Sequence, residues 1–222
     1  MTFYTPEIST YFETDIPYVN TVILENQSQY VRIVSDIVNQ INGCDGKSII
    51  SSNKKIVAFD KYCELLDQFL PFEINRKSLI TKIIGELEKN AISPEHYEQT
   101  MRLVSDLERF LNELSFQMPC DIVFPKLLIS NLLKAAGPEI RDAYEQLSEK
   151  ILDYMELVGE FERNKLFFTV NLRCFMTDEE TTLFMQSVIS HGYHLIMLEN
   201  HEYPKCQWEK RLIVDKDLCE IT

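Results

Sequence analysis

No apolar stretch in this chain reaches the roughly 20 residues of a membrane span, and the N-terminus lacks the basic region and apolar core of a secretory signal. A soluble, cytoplasmic protein with no membrane partner is expected. Paired cysteines are also missing: Cys44, Cys63, Cys120, Cys174, Cys206 and Cys219 stand singly, with no C-x-x-C anywhere. In 222 residues, enough for a core that needs no staples, they read as reduced thiols. Positive charge is scarce, 22 Lys and Arg against 35 Asp and Glu, for a net charge of −13. Summed negative charge repels phosphate, which excludes indiscriminate coating of nucleic acid but leaves room for a localised basic channel. No serine or cysteine carries a recognisable nucleophile elbow or triad signature, so the chain is expected not to be an enzyme.

What is present is organised from the two ends inward. Lys165-Leu-Phe-Phe-Thr-Val-Asn171 and His194-Leu-Ile-Met-Leu-Glu199 are apolar runs separated by a helical stretch. That order predicts a parallel βαβ unit whose strands are buried on both faces. Thr21-Val-Ile-Leu24 precedes a helical run over about 28–41 in the same way. The fold class is therefore α/β with a mostly parallel sheet built from residues 1–76 and 164–222, and an α-helical insertion over 77–163. Within the insertion, Ser93-Pro94-Glu95 starts a helix over 94–116, and Gly137-Pro138 ends a helix over about 122–136 and opens another. From there Ile140, Tyr144, Leu147, Ile151, Tyr154, Val158 and Phe161 form a heptad-like seam running to about residue 163. The two long helices are expected to extend more than about 30 Å each. Asp142, Glu145, Glu149, Asp153, Glu156 and Glu160 run away from that seam and read as a solvated face rather than a cation site.

Several chemical motifs compete with plain structural readings. Gly46-Lys47-Ser48 ends like a phosphate-binding loop, but Ile41 stands where the first glycine belongs, and helix and strand come in reversed order. A helix cap and turn are the better reading. Glu199 and Asn171 end neighbouring strands, where open α/β sheets place ligands, yet without a phosphate loop they make half a site. His191, His194, His201 and Cys206 offer zinc donors at a spacing that matches no standard pattern. The basic residues are placed more unevenly. Residues 46–59 carry Lys47, Lys54 and Lys55 with no acid, and residues 122–138 carry Lys126 and Lys134 with no acid. On a helix, positions eight apart lie near one face about 12 Å apart, a spacing suited to a phosphate backbone. Ordinary solubilising lysines remain the alternative.

The organisation resembles the type II-A CRISPR adaptation family Csn-two in its short form. The resemblance rests on Lys134-Ala-Ala-Gly137, the long helix after it, Phe-Phe-Thr-Val-Asn171, Leu-Ile-Met-Leu-Glu199 and Leu212-Ile-Val-Asp-Lys-Asp217. It implies a head resembling a degenerate P-loop nucleotidase fold, with extended helical legs and no bound nucleotide. It also implies a homotetrameric ring that threads double-stranded DNA ends through a basic hole. Such a ring supports spacer acquisition in antiviral defence, together with the CRISPR integrase complex and the RNA-guided effector nuclease. Lys54, Lys55, Lys126 and Lys134 would contact phosphates. Calcium, which relatives hold between the legs, would here fall to Glu113 and Asp121, since Ser115 and Gln117 stand where further acids are expected. The rival readings are a divergent nucleotidase using Lys47 and Glu199, and a protein adaptor docking through the seam from Ile140 to Phe161 without DNA.

Overall fold

The computed structural model describes residues 1–161 and 165–222. Its elements are β1 (Thr2–Tyr4), β2 (Phe12–Glu13), β3 (Val19–Leu24), α1 (Gln27–Ile41), β4 (Ile49–Ser52), β5 (Lys55–Val57), α2 (Phe59–Tyr62) and β6 (Cys63–Leu66). There follow α3 (Lys77–Ala91), α4 (Tyr97–Ser115), α5 (Ile129–Ala136), α6 (Leu147–Phe161), β7 (Leu166–Val170), a 3-10 turn (Leu172–Phe175), α7 (Asp178–Ser190), β8 (His194–Glu199), β9 (Glu209–Val214) and β10 (Glu220–Ile221). The chain divides into two units, Met1–Ile74 with Ala143–Thr222, and Asn75–Asp142.

In the first unit the larger sheet has the order β10-β9-β3-β8-β7-β6. All neighbours pair in parallel except β10, which is antiparallel to β9. All six residues of β3 and five of the six in β8 are buried, as a parallel strand covered on both faces requires. Asn26 caps α1, its side chain accepting from the Gln29 amide, and Ile33 and Ile37, one turn apart, turn inward. Thr177 and Glu180 form a reciprocal capping box that starts α7, the crossover between β7 and β8. A smaller antiparallel sheet, β2-β1-β4-β5, covers the same core. There Phe168 of β7 meets Phe3 edge-on at 5.0 Å and stacks on Phe59 at 6.5 Å between ring centres.

The second unit departs from the helix pattern expected of it. Regular helix in α4 begins at Tyr97 and not at Pro94, because Ser93–His96 form a turn in which the His96 and Tyr97 amides both donate to the Ser93 carbonyl. The expected helix over 122–136 survives only as α5. Pro125 has no amide hydrogen and disfavours helical backbone at Phe124, and the Leu127 amide donates to the Glu108 carboxylate at 3.0 Å instead of to a helical carbonyl. Gly137 does end α5, in the left-handed conformation at φ 62°. Residues 137–146 are also irregular. The Ile140 amide donates to the Asn75 side chain at 2.7 Å and its carbonyl accepts from that side chain at 3.1 Å, so neither is free for a helix ladder.

The seam is therefore helical only from Leu147, and its expected end at residue 163 lies outside the described residues. At 15 residues α6 is about 22 Å long, and at 19 residues α4 is about 28 Å, both short of the expected 30 Å. Helix α6 also belongs to the first unit and not to the insertion, which corrects the boundary at 163. Ile151, Tyr154, Met155 and Val158 are buried, and the Tyr154 hydroxyl donates to Glu64 of β6 at 2.7 Å. The face of α6 that would have docked a partner is used in the protein's own core. Glu149, Asp153, Glu156 and Glu160, on its other side, are exposed, as a solvated face should be.

Candidate nucleic-acid interface and sheet-edge site

Asn53 and Lys54 form the two-residue turn between β4 and β5, with φ of 51° and 63°, and Ser52 pairs with Lys55 across it. Two consecutive left-handed residues are what a tight hairpin turn demands. The turn presents Lys54 and Lys55 side by side, both exposed. Lys126 and Lys134 are exposed in the second unit, but Lys126 precedes α5, so the expected single helix face carrying both does not form. Among the described residues, none of these four lysines is engaged in an ion pair.

Glu113 sits in the last turn of α4 and Asp121 in the irregular stretch after it, both exposed. Asp121 lines a hollow walled by residues 115–123, to which Glu113 does not contribute. Among the described residues no three His, Cys, Asp or Glu side chains converge as a metal would need. The imagined zinc donors go separate ways. His191 stacks on Tyr193, His194 faces Asp15 at 3.4 Å, His201 packs edge-on against Tyr203, and Cys206 is buried.

The loop ending in Gly46-Lys47-Ser48 is closed by its own helix. The Lys47 and Ser48 amides donate to the two carboxylate oxygens of Asp36, each at 2.8 Å, and Gln40 donates to the same carboxylate at 3.0 Å. Burial would raise the Asp36 pKa, but these hydrogen bonds outweigh it and hold the carboxyl below its usual range. Gly46 is needed for close approach, since a Cβ there would stand 2.3 Å from the Gln40 side chain. The amides a phosphate would take are thus occupied by a residue that motif reading missed. Asp36 lies on the polar face of α1, and only the fold brings it to amides eleven and twelve positions later.

Glu199 ends β8 with 1% exposure. One of its oxygens accepts from the Arg173 amide at 3.2 Å, while the other is buried without a hydrogen-bond partner. Asn171, beside it, takes left-handed backbone at φ 54° and accepts the Asn200 amide at 3.0 Å. The nearby Tyr30 hydroxyl is pushed up to about 12 by burial and by the Glu199 charge. Arg173, buried below these strand ends, donates to Asp178 at 2.6 Å and to the Pro204 carbonyl at 3.1 Å, and lies over the Tyr203 ring. Its partners come from three later segments, so no local spacing announced it. Both terminal nitrogens of this arginine are directed to other partners and its Nε is buried without one among the described residues, so the guanidinium acts on Glu199 only through its charge.

Helix α1 starts at the carboxyl end of the parallel strands, where the Glu25 amide donates to the Val214 carbonyl, and the Lys47 amide is held at Asp36, about 13 Å further along the helix. Lys47 and Glu199 are therefore not brought into one site.

Burial raises the Glu199 pKa to about 7, with the Arg173 amide and charge only partly offsetting it. The folded protein then keeps a proton that the unfolded chain loses from about pH 4.5 upward, so stability falls as pH rises from there to about 7. Glu199→Gln removes this penalty. Urea titrations should show no advantage for the variant near pH 4 and one of about 3 kcal/mol at pH 8, by the conversion of about 1.4 kcal/mol per pH unit. An advantage independent of pH would refute the assignment.

The family model described as CRISPR-associated protein (Cas_Csn2) matches residues 40–218. The fold is similar to the crystal structure of Stu0660 of Streptococcus thermophilus, with a TM-score of 0.59 and 13% identity, over 89% of this chain and 68% of that one. No curated protein matches the chain. Among the described residues no helix is long and apolar enough to cross a membrane.

Proposed function

Because the chain belongs to the Csn-two family of CRISPR-associated proteins, we propose that it is a non-catalytic, ring-forming protein that binds double-stranded DNA ends and supports spacer acquisition in type II-A CRISPR immunity. The observation that carries this reading is the set of exposed, unpaired lysines, Lys54, Lys55, Lys126 and Lys134, in a chain of net charge −13. Phosphates would meet these lysines inside a ring while the acidic exterior repels other nucleic acid. Assembly as a homotetramer is supported by the second unit, where Phe116 is 85% and Val123 88% exposed and Phe110, Met118 and Leu128 are exposed beside them in sequence. Apolar surface of this extent calls for a cover, and closed symmetry supplies one from further copies of the chain.

The head is read as a P-loop type fold that has lost its nucleotide, which the parallel sheet and the Asp36-filled loop support. Calcium at Glu113 and Asp121 would require oxygens beyond these two carboxylates. The protein would act in the cytoplasm, with the integrase complex and the RNA-guided effector nuclease as partners. The separation of Lys47 from Glu199 weighs against a nucleotidase, and burial of the α6 seam weighs against an adaptor working through it.

The test is retention of linear duplex at low salt against the same DNA as a closed circle, with calcium and with chelator. Linear DNA alone should be retained, and the calcium comparison reads the contribution of Glu113 and Asp121. Equal retention of both forms would replace the ring with a surface patch, and retention of neither would overturn the DNA reading.

A further inference from the structure

The first unit contains a cavity of about 370 Å³ where the starts of β3 and β9 lie beside β2. Its floor is apolar, made by the buried side chains of Phe12 and Leu212, and the exposed ring of Tyr18 stands in its wall. Asn20, buried at 1% exposure, pairs in register with Lys210, and its side chain is fixed by donating to the Glu13 carbonyl at 2.7 Å. Lys205 and Lys210 line the same cavity, and among the described residues neither ammonium group meets a carboxylate.

The one acidic side chain in the lining, Glu209, does not cancel them. It accepts two hydrogen bonds from the Arg211 guanidinium, at 3.0 and 2.9 Å, and one from the Cys206 amide at 2.9 Å, and Arg173 lies 3.8 Å away. With Glu209 neutralised from two sides, the side chains that bring free charge to the lining are the two lysines, which outnumber the single carboxylate of Thr222 beside them. Two unpaired cations over an apolar floor, beside an aromatic ring, suit a ligand that is charged at one end and flat and apolar at the other. The volume falls within the range of about 300–1,000 Å³ usual for small-molecule pockets.

We infer that this cavity binds a small organic anion, with its charged group held between Lys205 and Lys210 and a flat apolar body resting on Phe12 and Leu212. This site uses none of the lysines assigned to DNA and stands apart from that assignment.

Calorimetric titration of the whole protein with naphthalene-2-sulfonate should show saturable binding at one site per chain. 2-Naphthol, the same ring system without the permanent charge, should bind about tenfold more weakly or worse, since a charge-assisted hydrogen bond contributes about 1.5–3 kcal/mol. Lys205→Glu/Lys210→Glu should weaken the sulfonate by a similar or larger factor with an unchanged melting temperature, because both side chains are exposed. The variant leaves the exposed apolar residues of the second unit intact, so binding there would persist in it. Unchanged affinity in the variant, or no saturable binding to the wild-type protein at millimolar sulfonate, overturns the inference.

Discussion

Reversing Lys54, Lys55, Lys126 and Lys134 to glutamate together should lower affinity for linear duplex DNA by about 100-fold or more near 0.1 M salt. Each lysine that neutralises a phosphate releases condensed counterion, and the gain is lost when the lysine is replaced. The slope of log affinity against log salt should flatten by about 3–4 if all four make contacts, each contributing about 0.9. Because the four side chains are exposed and unpaired, assembly mass and melting temperature should not change. Binding curves over a salt series, with mass measured in parallel, provide both readings. Full affinity in the variant would remove these lysines from the interface. Reversal of Lys54 and Lys55 apart from Lys126 and Lys134 would then apportion the effect between a hairpin tip in one unit and the segment leading into and through α5 in the other.

The second large effect concerns the core that places the hairpin. Phe168→Ala should destabilise the protein by about 3–5 kcal/mol, the range for deleting a buried aromatic side chain and leaving part of its cavity. Phe168 has no exposed surface, and its ring holds Phe3 of β1 and Phe59 of α2 against β7. It thus joins the small antiparallel sheet to the large parallel one. Urea unfolding of the variant should show the midpoint falling with little change in slope. A loss under about 1 kcal/mol would mean that the two sheets are held together elsewhere. Since β4 and β5 carry Lys54 and Lys55, DNA affinity should decline with the folded fraction and not faster.

The sheet was legible because a parallel strand buried on both faces leaves a continuous apolar run, and β3, β7 and β8 all bear that mark. The helix ends at Gly137 and the order of helix and strand around Gly46 could be read for the same reason: they depend on local backbone chemistry. The family, too, came from residues met in order along the chain. The lengths of the inserted helices did not follow, although their apolar spacing was sound. Asn75 takes both backbone groups of Ile140, 65 positions away, and Glu108 takes the Leu127 amide, so hydrogen bonds that a helix would have used were claimed by distant side chains.

The candidate sites divide along the same line. The sequence by itself determined which residues carry unopposed positive charge, that the phosphate loop is incomplete, and that a carboxylate ends β8. Only the tertiary structure decided that Asp36 fills that loop, that Lys126 and Lys134 do not share a helix face, and that Lys47 is held at Asp36 in the third turn of α1 while Glu199 lies near Tyr30 in its first. It also decided that α6 is core. Periodicity reports which face of an element is apolar, but what that face packs against, and which polar groups meet across the chain, depend on contacts between residues that no spacing relates.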